Sequence, residues 1–351
     1  MGGRGLRVTI VDVARAAGVS IATVSHVLNG TKQVSADARA RVETAVSRLD
    51  YRPSHLARGL RRRRTATVGL LLSRIATSPI NVLLKGLVDA LAQTGDAALL
   101  ADSEGSEVRE AEEIRRFVQR QIDGLIFQPV AAGAQADQLV SAQVPCVAIE
   151  REMPPGPMRA AVLTDYASGV ADAAQWALTR GLRTGFVATH VDSPQRRRAF
   201  EAYVEEVVCC GRAVEADLVC TMPPTPEGGY KAIERLRRGH PEVGAAIIVD
   251  PLMAAGAIQA CEDGEGAVRA LTLIGADAGG WPPSATVRVG RIMIPSYEIG
   301  TRAVQLLKEL SASLPAEPPA AVPQTGRSEQ PDSAPGSRTL RLATQFIPPR
   351  G

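Results

Sequence analysis

Ile21, Ala22, Ser25 and His26 lie within the first two turns of one predicted helix, the spacing at which a helix lays side chains on base edges in a major groove. Ile21 and Ala22 offer only methyl surface, which suits thymine methyls. The His26 imidazole can donate to a guanine or accept from an amino group, depending on its tautomer. Ser20, Thr23 and Asn29 are short polar groups suited to phosphate oxygens, contacts that fix register without reading sequence. Taken singly, each of these residues equally suits a helical hairpin with no partner.

Catalytic patterns are missing. The chain has no G-x-x-x-x-G-K-[ST] loop, no G-x-G-x-x-G after a strand, no G-x-S-x-G elbow and no H-E-x-x-H, so an enzyme is not expected. Five cysteines (Cys146, Cys209, Cys210, Cys220, Cys261) form no C-x-x-C pair, and the four histidines (His26, His55, His190, His240) are scattered. No structural zinc site and no cofactor are expected, and the thiols read as reduced. There is no run of ~18 apolar residues and no apolar leader near the N-terminus, so the expectation is a cytoplasmic protein with no membrane partner.

Charge separates the chain into two parts. Residues 1–64 hold 13 Lys/Arg against 4 Asp/Glu, whereas residues 65–351 hold 27 against 33. A basic head on a mildly acidic body suits a polyanion at the head, although a solvated basic surface accounts for the charge equally well.

The elements that must position the first group are three short helices within residues 9–50. The first runs from Thr9 to Ala17, capped by Thr9 with Asp12 three residues on and stopped by Gly18. The second runs from Ile21 to Leu28 behind Ser20. The third follows Ser35, with Ala38, Val42, Ala45, Val46 and Leu49 on one face. Only Gly18, Val19 and Ser20 separate the first two, the tight connection of a helix-turn-helix. Residues 51–64 (YRPSHLARGLRRRR) read as a linker that becomes helical when docked on an anion; Gly59 costs such a helix roughly 1 kcal/mol.

Beyond residue 65, short apolar runs (68–72, 97–100, 124–127, 146–149, 185–188, 245–249, 271–274) alternate with amphipathic stretches (81–94, 107–121, 168–180, 196–209, 226–238, 251–263). Strand–helix alternation predicts parallel sheets covered on both faces, in two lobes with a ligand at the carboxyl ends of the strands. Residues 315–337 are rich in Pro, Ala and Ser and read as a low-complexity insert, after which 339–347 regains strand alternation.

The string TIVDVARAAGVSIATVSHVLNG (9–30), followed by VSADARARV (34–42), LDYRPS (49–54) and ARGLR (57–61), resembles the headpiece of the lac repressor/galactose repressor family. TATVGLL from Thr65, QIDGLIFQP (121–129), GGYKAIERL from Gly228, DPLMAAG from Asp250, IGAD from Ile274 and PSYEIGTRA from Pro295 extend the likeness more loosely over the rest. The resemblance implies an N-terminal all-α helix-turn-helix headpiece plus a hinge helix. A two-lobed α/β core with parallel sheets, similar to periplasmic binding proteins, follows. The implied domains are 1–50 (headpiece), 51–64 (hinge), 65–163 with about 293–314 (N-terminal lobe), 164–292 with about 338–351 (C-terminal lobe), and the insert 315–337.

Several site residues are implied by the resemblance. Ile21, Ala22 and His26 fall on base-reading positions, and Thr9, Ser20, Thr23, Ser25 and Asn29 on phosphate or base-edge positions. Leu60 matches a leucine that wedges between base steps in the minor groove, with Ala57 one turn before it. Asp165, Arg196, Asp250 and Asp277 match effector-contacting positions, and Trp281 is a candidate to stack on a ligand ring. Ser78-Pro79-Ile80-Asn81 departs from the family's N-P-F-F, and Tyr166 and Val249 replace two amides. The implied function is a transcriptional regulator, most simply a repressor, acting as a homodimer on pseudo-palindromic double-stranded operator DNA under a small-molecule effector. A sugar is the implied effector class; arginine at that site also suits an anionic ligand such as a phosphorylated sugar. An activator of the same family and a solute-binding protein are the alternatives.

Overall fold

The computed structural model describes residues 8–29, 32–51, 65–73, 75, 80–130, 139, 142–154, 156, 158–189, 193–264, 266, 270–279, 287–313 and 338–349. The expected hinge with Ser54, Ala57, Gly59 and Leu60, the insert 315–337, Trp281 and the side chain of Asn29 lie outside the described residues. The chain forms two compact units, 1–65 and 66–351.

The first unit contains α1 (Ile10–Ala17), α2 (Ile21–Asn29) and α3 (Ala36–Arg48). The start of α1 is fixed by the Asp12 carboxylate, which accepts from the Thr9 N–H at 2.9 Å and the Thr9 hydroxyl at 2.7 Å. Gly18 ends it in the left-handed region at φ 63°, and the Val19 N–H returns to the Ala14 carbonyl. The chain then bends by 103° between α1 and α2, within the range of helix-turn-helix motifs. The Ser20 hydroxyl oxygen accepts from the Thr23 N–H at the start of α2, and that of Ser35 accepts from the Ala38 N–H at the start of α3. Val13, Ala14, Ala17, Val24, Val27, Val42 and Ala45 bury together as the core of this unit.

The second unit is built on two six-stranded sheets. The first, in the order β11-β5-β4-β3-β1-β2, joins β1 (Thr67–Leu72), β2 (Ala97–Asp102), β3 (Gly124–Phe127), β4 (Cys146–Ile149), β5 (Arg159–Asp165) and β11 (Arg338–Ala343), all parallel. The second, in the order β12-β10-β9-β8-β6-β7, joins β6 (Arg183–Thr189), β7 (Val219–Met222), β8 (Val243–Ile248), β9 (Thr272–Asp277), β10 (Val289–Met293) and β12 (Gln345–Ile347). Only β12 runs antiparallel, against β10. The helices are α4 (Ile80–Thr94), α5 (Glu107–Gln119), α6 (Tyr166–Thr179), α7 (Pro194–Cys209), α8 (Pro226–Gly239), α9 (Pro251–Asp263) and α10 (Ser296–Ser313). Central strands such as β3 and β4 are buried at every position, as parallel strands covered on both faces must be.

Three features depart from the sequence reading. Strands β5, β7 and β10 were not among the apolar runs. The stretch 339–347 is two strands in different sheets. Residues 338–351, expected in the C-terminal lobe, therefore divide: 338–343 extend the first sheet beside β5, and only 345–347 join the second. The cause is local. Thr344 is buried between the two strands, its N–H and hydroxyl both donate to the Asp165 carbonyl at 3.0 Å, and its hydroxyl accepts from the Gly169 N–H. These bonds turn the chain from one sheet to the other.

Helices α4 and α10 pack in unusually close approach. A Cβ at Gly86 would stand 2.3 Å from the Tyr297 carbonyl oxygen, so only glycine fits. That contact holds the first turns of both helices, and with them Ile80, Leu83 and Ile299, at the edge of the cavity described below.

Candidate functional site

On α2, burial separates a core face from an open one. Val24 and Val27 are buried, whereas Ser20, Ile21 and Ala22 are exposed, with Ile21 at 48%. A large aliphatic side chain in the first turn of a capped helix, half open to solvent, is available for an external partner. Thr23, Ser25 and His26 are partly exposed on the same helix. The hydroxyls of Ser20 and Thr23 bond one another at 2.8 Å, and the Thr9 hydroxyl donates to Asp12. Ser20 and Thr23 thus present a paired hydroxyl edge. Thr9 serves the start of α1 before any phosphate.

In the second unit, a cavity of about 370 Å³ opens where the carboxyl ends of the strands face one another. Ser73 follows β1, Gln128 follows β3, Glu150 and Arg151 follow β4, and Tyr166 follows β5. From the second sheet, Ser193, Gln195 and Arg196 open α7 after β6, Asp250 follows β8, and Ala278 follows β9. Topology alone accounts for this gathering: parallel strands all end at the same edge, and each helix starts there.

Polar groups at the cavity are tied to specific partners. The Arg196 guanidinium meets Asp250 at 2.9 Å and donates to the Thr189 hydroxyl at 3.0 Å. Asp250 also caps α9, accepting from the Leu252 and Met253 N–H groups. Glu150 adopts φ 64°, in the left-handed region that favours glycine, which marks the end of β4 as strained beside the cavity. Burial raises the Glu150 carboxyl pKa, against the opposing pull of the Thr164 hydroxyl and Arg196. Burial lowers that of Arg151, the nearby Arg196 charge lowers it further, and the Glu110 carboxylate opposes both. The Tyr166 phenol is raised, first by burial and then by the charge on Glu150. Gln195, 3% exposed, donates through Nε2 to the Glu150 carbonyl at 3.2 Å and leaves Oε1 without a partner among the described residues.

Of the expected effector residues, the structure brings Arg196 and Asp250 to the cavity. Asp165 and Asp277 do not line it. Asp165 is turned to the start of α6, where it accepts from the Ala167 N–H. Asp277 is wholly buried, accepting from the Gly279 N–H at 2.7 Å and pairing with Arg291 at 3.2 Å. Both sit one residue before a lining residue, Tyr166 and Ala278, and their own carboxylates are used for backbone and ion-pair contacts. Gln128, Glu150, Arg151 and Gln195 were missed. The usable signal was position: Gln128 and Glu150 stand immediately after the predicted strands 124–127 and 146–149.

Residues 9–54 match the bacterial regulatory proteins of the lacI family, and residues 68–281 match the periplasmic binding protein domain. The chain belongs to the lacI family. Among relatives of this lacI-family regulator, the catabolite control protein A of Streptococcus mutans is 42% identical over 120 residues, which span 34% of this chain and only 36% of that protein. The protein of the same name from Priestia megaterium is 28% identical over 299 residues, 84% of this chain and 90% of its own. Solved structures that share the fold include two regulators. The lac repressor dimer bound to operator and an anti-inducer has a TM-score of 0.78 at 19% identity, covering 98% of each chain. The transcriptional regulator CelR–cellobiose complex has a TM-score of 0.64 at 23% identity, covering 97% of this chain and 98% of that one. Among the described residues, no single helix is long and apolar enough to cross a membrane, and no three His, Cys, Asp or Glu side chains gather as a metal site.

Proposed function

We propose that this lacI-family regulator is a repressor that binds a pseudo-palindromic double-stranded operator as a homodimer, switched by a small molecule of the carbohydrate class held between the lobes of its core. The observation that carries the reading is the pairing, in one chain, of a capped helix with an open Ile21-Ala22 edge and a cavity ringed by strand ends. The lac repressor was solved as a dimer on its operator, and CelR with cellobiose, which supports the same two activities here. Ile21, Ala22 and His26 read bases, Ser25 contacts a base edge or phosphate, Ser20, Thr23 and Asn29 hold phosphates, and Thr9 joins them when its hydroxyl turns from Asp12 to a phosphate oxygen. Ala57 and Leu60 complete the minor-groove contact on the strength of the family resemblance. At the cavity, Arg196 and Asp250 contact the effector. Asp165 and Asp277 position the segments carrying Tyr166 and Ala278, and Trp281 is a candidate ring platform. An effector that prefers one arrangement of the lobes shifts the population between DNA-binding and released states.

The test starts from selection of DNA by the full-length protein, followed by titration on the selected and a scrambled duplex. Loss of a base contact costs about 1–3 kcal/mol, so His26→Ala is expected to weaken the selected duplex about tenfold and leave the scrambled one nearly unchanged. Equal losses on both duplexes would remove His26 from the base-reading set. Deleting the gene separates repressor from activator: transcription from the bound promoter rises in the first case and falls in the second. Failure to select any sequence would favour a solute-binding protein.

A further inference from the structure

The five thiols of the chain are all free, and they divide sharply. Cys146, Cys220 and Cys261 are buried. Burial pushes the Cys146 and Cys261 thiols up to about 12 and raises that of Cys220, so all three stay protonated and inert. Cys209 and Cys210 are exposed and adjacent in sequence. Cys209 is the last residue of α7, and Cys210 is its C-cap at φ −80° and ψ 8°. Val208, one residue earlier, is 59% exposed, and a Cβ at Gly211 would meet nothing within 4 Å, so this helix end is open to a molecule arriving from solvent.

The turn that carries the two thiols is anchored on both sides. The Cys210 N–H donates to the Glu206 carbonyl and the Gly211 N–H to the Val208 carbonyl, at 3.1 and 2.9 Å. Beyond them, the Arg212 N–H returns to the Val207 carbonyl and its guanidinium donates to the Leu182 carbonyl, both at 3.1 Å. That anchoring decides what the pair can do. Adjacent Cα atoms stand about 3.8 Å apart, less than the roughly 4.4 Å at which disulfides begin, so closing the two sulfurs on each other would have to pull the turn out of shape. A single soft atom between them asks for less. At about 2.3 Å from each sulfur, it accepts sulfurs roughly 3.5–4.5 Å apart, a span that two freely rotating exposed side chains reach from a helical backbone. Zinc would need about four ligands, and no three His, Cys, Asp or Glu side chains gather among the described residues. The fitting ligand is a thiophilic centre satisfied by two thiolates.

We propose that Cys209 and Cys210 form a chelating dithiol that takes trivalent arsenic. Each thiol gives up its proton, two As–S bonds replace two As–OH bonds, and two waters leave; nothing is oxidised or reduced. The third valence of arsenic stays with its own substituent. The site is separate from the cavity: α7 begins there with Gln195 and Arg196, and its sixteen residues carry the dithiol about 24 Å away.

Thiol counting on the reduced, full-length protein with 4,4′-dithiodipyridine tests this. Two fast thiols and three slow ones are expected. One equivalent of phenylarsine oxide should abolish both fast thiols and add one phenylarsenic group per chain in the mass spectrum. Dithiothreitol should restore both thiols, and 2-mercaptoethanol at the same concentration should not. In Cys209→Ser and in Cys210→Ser one fast thiol should remain, and without the second tethered sulfur the arsenical should bind about a hundredfold more weakly. A melting curve for each variant confirms folding. The chelate is overturned if either single variant holds the arsenical as tightly as the parent, or if one bound arsenical leaves a fast thiol in the parent. Fewer than two fast thiols in the untreated protein would overturn it as well.

Discussion

The two candidate sites are assembled on opposite plans. The edge of α2 takes its contacts from consecutive residues on one short helix, held by a core of small aliphatic side chains such as Val13, Val24 and Val42. The cavity takes its contacts from the ends of strands in both sheets, more than 200 residues apart in sequence at the extremes, on much larger buried clusters. A contiguous site is cheap to specify, but it depends on a unit too small to bury much of its surface. A distributed site depends on no single element, yet each of its polar groups must be satisfied separately at a strand end. Damage to packing should therefore be fatal to the first and local in the second. Damage to one ion pair should matter only in the second.

The largest expected effect tests the first half of that contrast. Val42 is wholly buried in the middle of α3, in the core of the first unit. Val42→Asp places an unpaired carboxylate there, at a cost of roughly 3 kcal/mol or more, a large share of what a domain of this size has. DNA binding should be lost, while the thermal transition and ligand binding of the core stay as in the parent. Loss of ligand binding as well would show that the two regions do not fold independently. Next comes Asp250→Ala, which strips α9 of its cap and leaves Arg196 without its carboxylate. Breaking such a partly buried pair should cost the core about 3 kcal/mol in urea unfolding, and Asp250→Asn, which keeps the capping oxygen, distinctly less. If the two variants unfold alike, the cap contributes little beside the ion pair.

The same difference in plan decided how much could be read from the sequence. Thr9, Asp12, Gly18, Ser20 and Ser35 are local signals, each acting within four residues, and they gave the three headpiece helices nearly to the residue. The long helices and central strands of the core were legible from periodicity. Strand β5 was not: it begins with Arg159 just beyond a proline-rich stretch and ends at a helix cap. Strand β7 has four residues, and β10 is interrupted by Gly290 and Arg291. The split of 339–347 hangs on Thr344, whose partners Asp165 and Gly169 lie far away in sequence. Resemblance brought out Arg196 and Asp250. It did not show that Asp277 is closed off by Arg291 and Gly279, nor that Arg151 borders the cavity, because both facts depend on how strand ends meet in space.

A smaller effect returns to the headpiece. Gly18 holds φ 63° at the end of α1, and the nearest atom to an added Cβ is an Arg41 nitrogen at 3.7 Å, so space is no obstacle. Gly18→Ala should cost about 1 kcal/mol from the left-handed backbone alone, and Gly18→Asn should recover part of it. The loss would appear as weaker DNA binding with unchanged ligand binding. A full-strength Gly18→Ala would mean that the turn between α1 and α2 tolerates another conformation.

The smallest effect concerns Glu150 and has a sign fixed by burial. In the folded protein this carboxyl, buried and bonded to the Thr164 hydroxyl with Tyr166 and Arg196 nearby, keeps its proton to higher pH than in the unfolded chain. The folded state therefore binds more protons as pH rises through the ordinary carboxylate range, and stability falls there until the folded group has ionised. Glu150→Gln removes the ionisation and keeps the backbone at φ 64°, the carbonyl that Gln195 reaches and an oxygen for Thr164. Near neutral pH the variant should be the more stable protein, and the advantage should shrink as the pH is lowered below the carboxylate range. Glu110, raised in the same direction by burial, keeps its own slope in both proteins, so the informative quantity is the difference between the two urea-unfolding curves. A difference independent of pH would mean that Glu150 is charged in the folded state, held so by Arg196. The cavity would then have one more negative charge to set against Arg151.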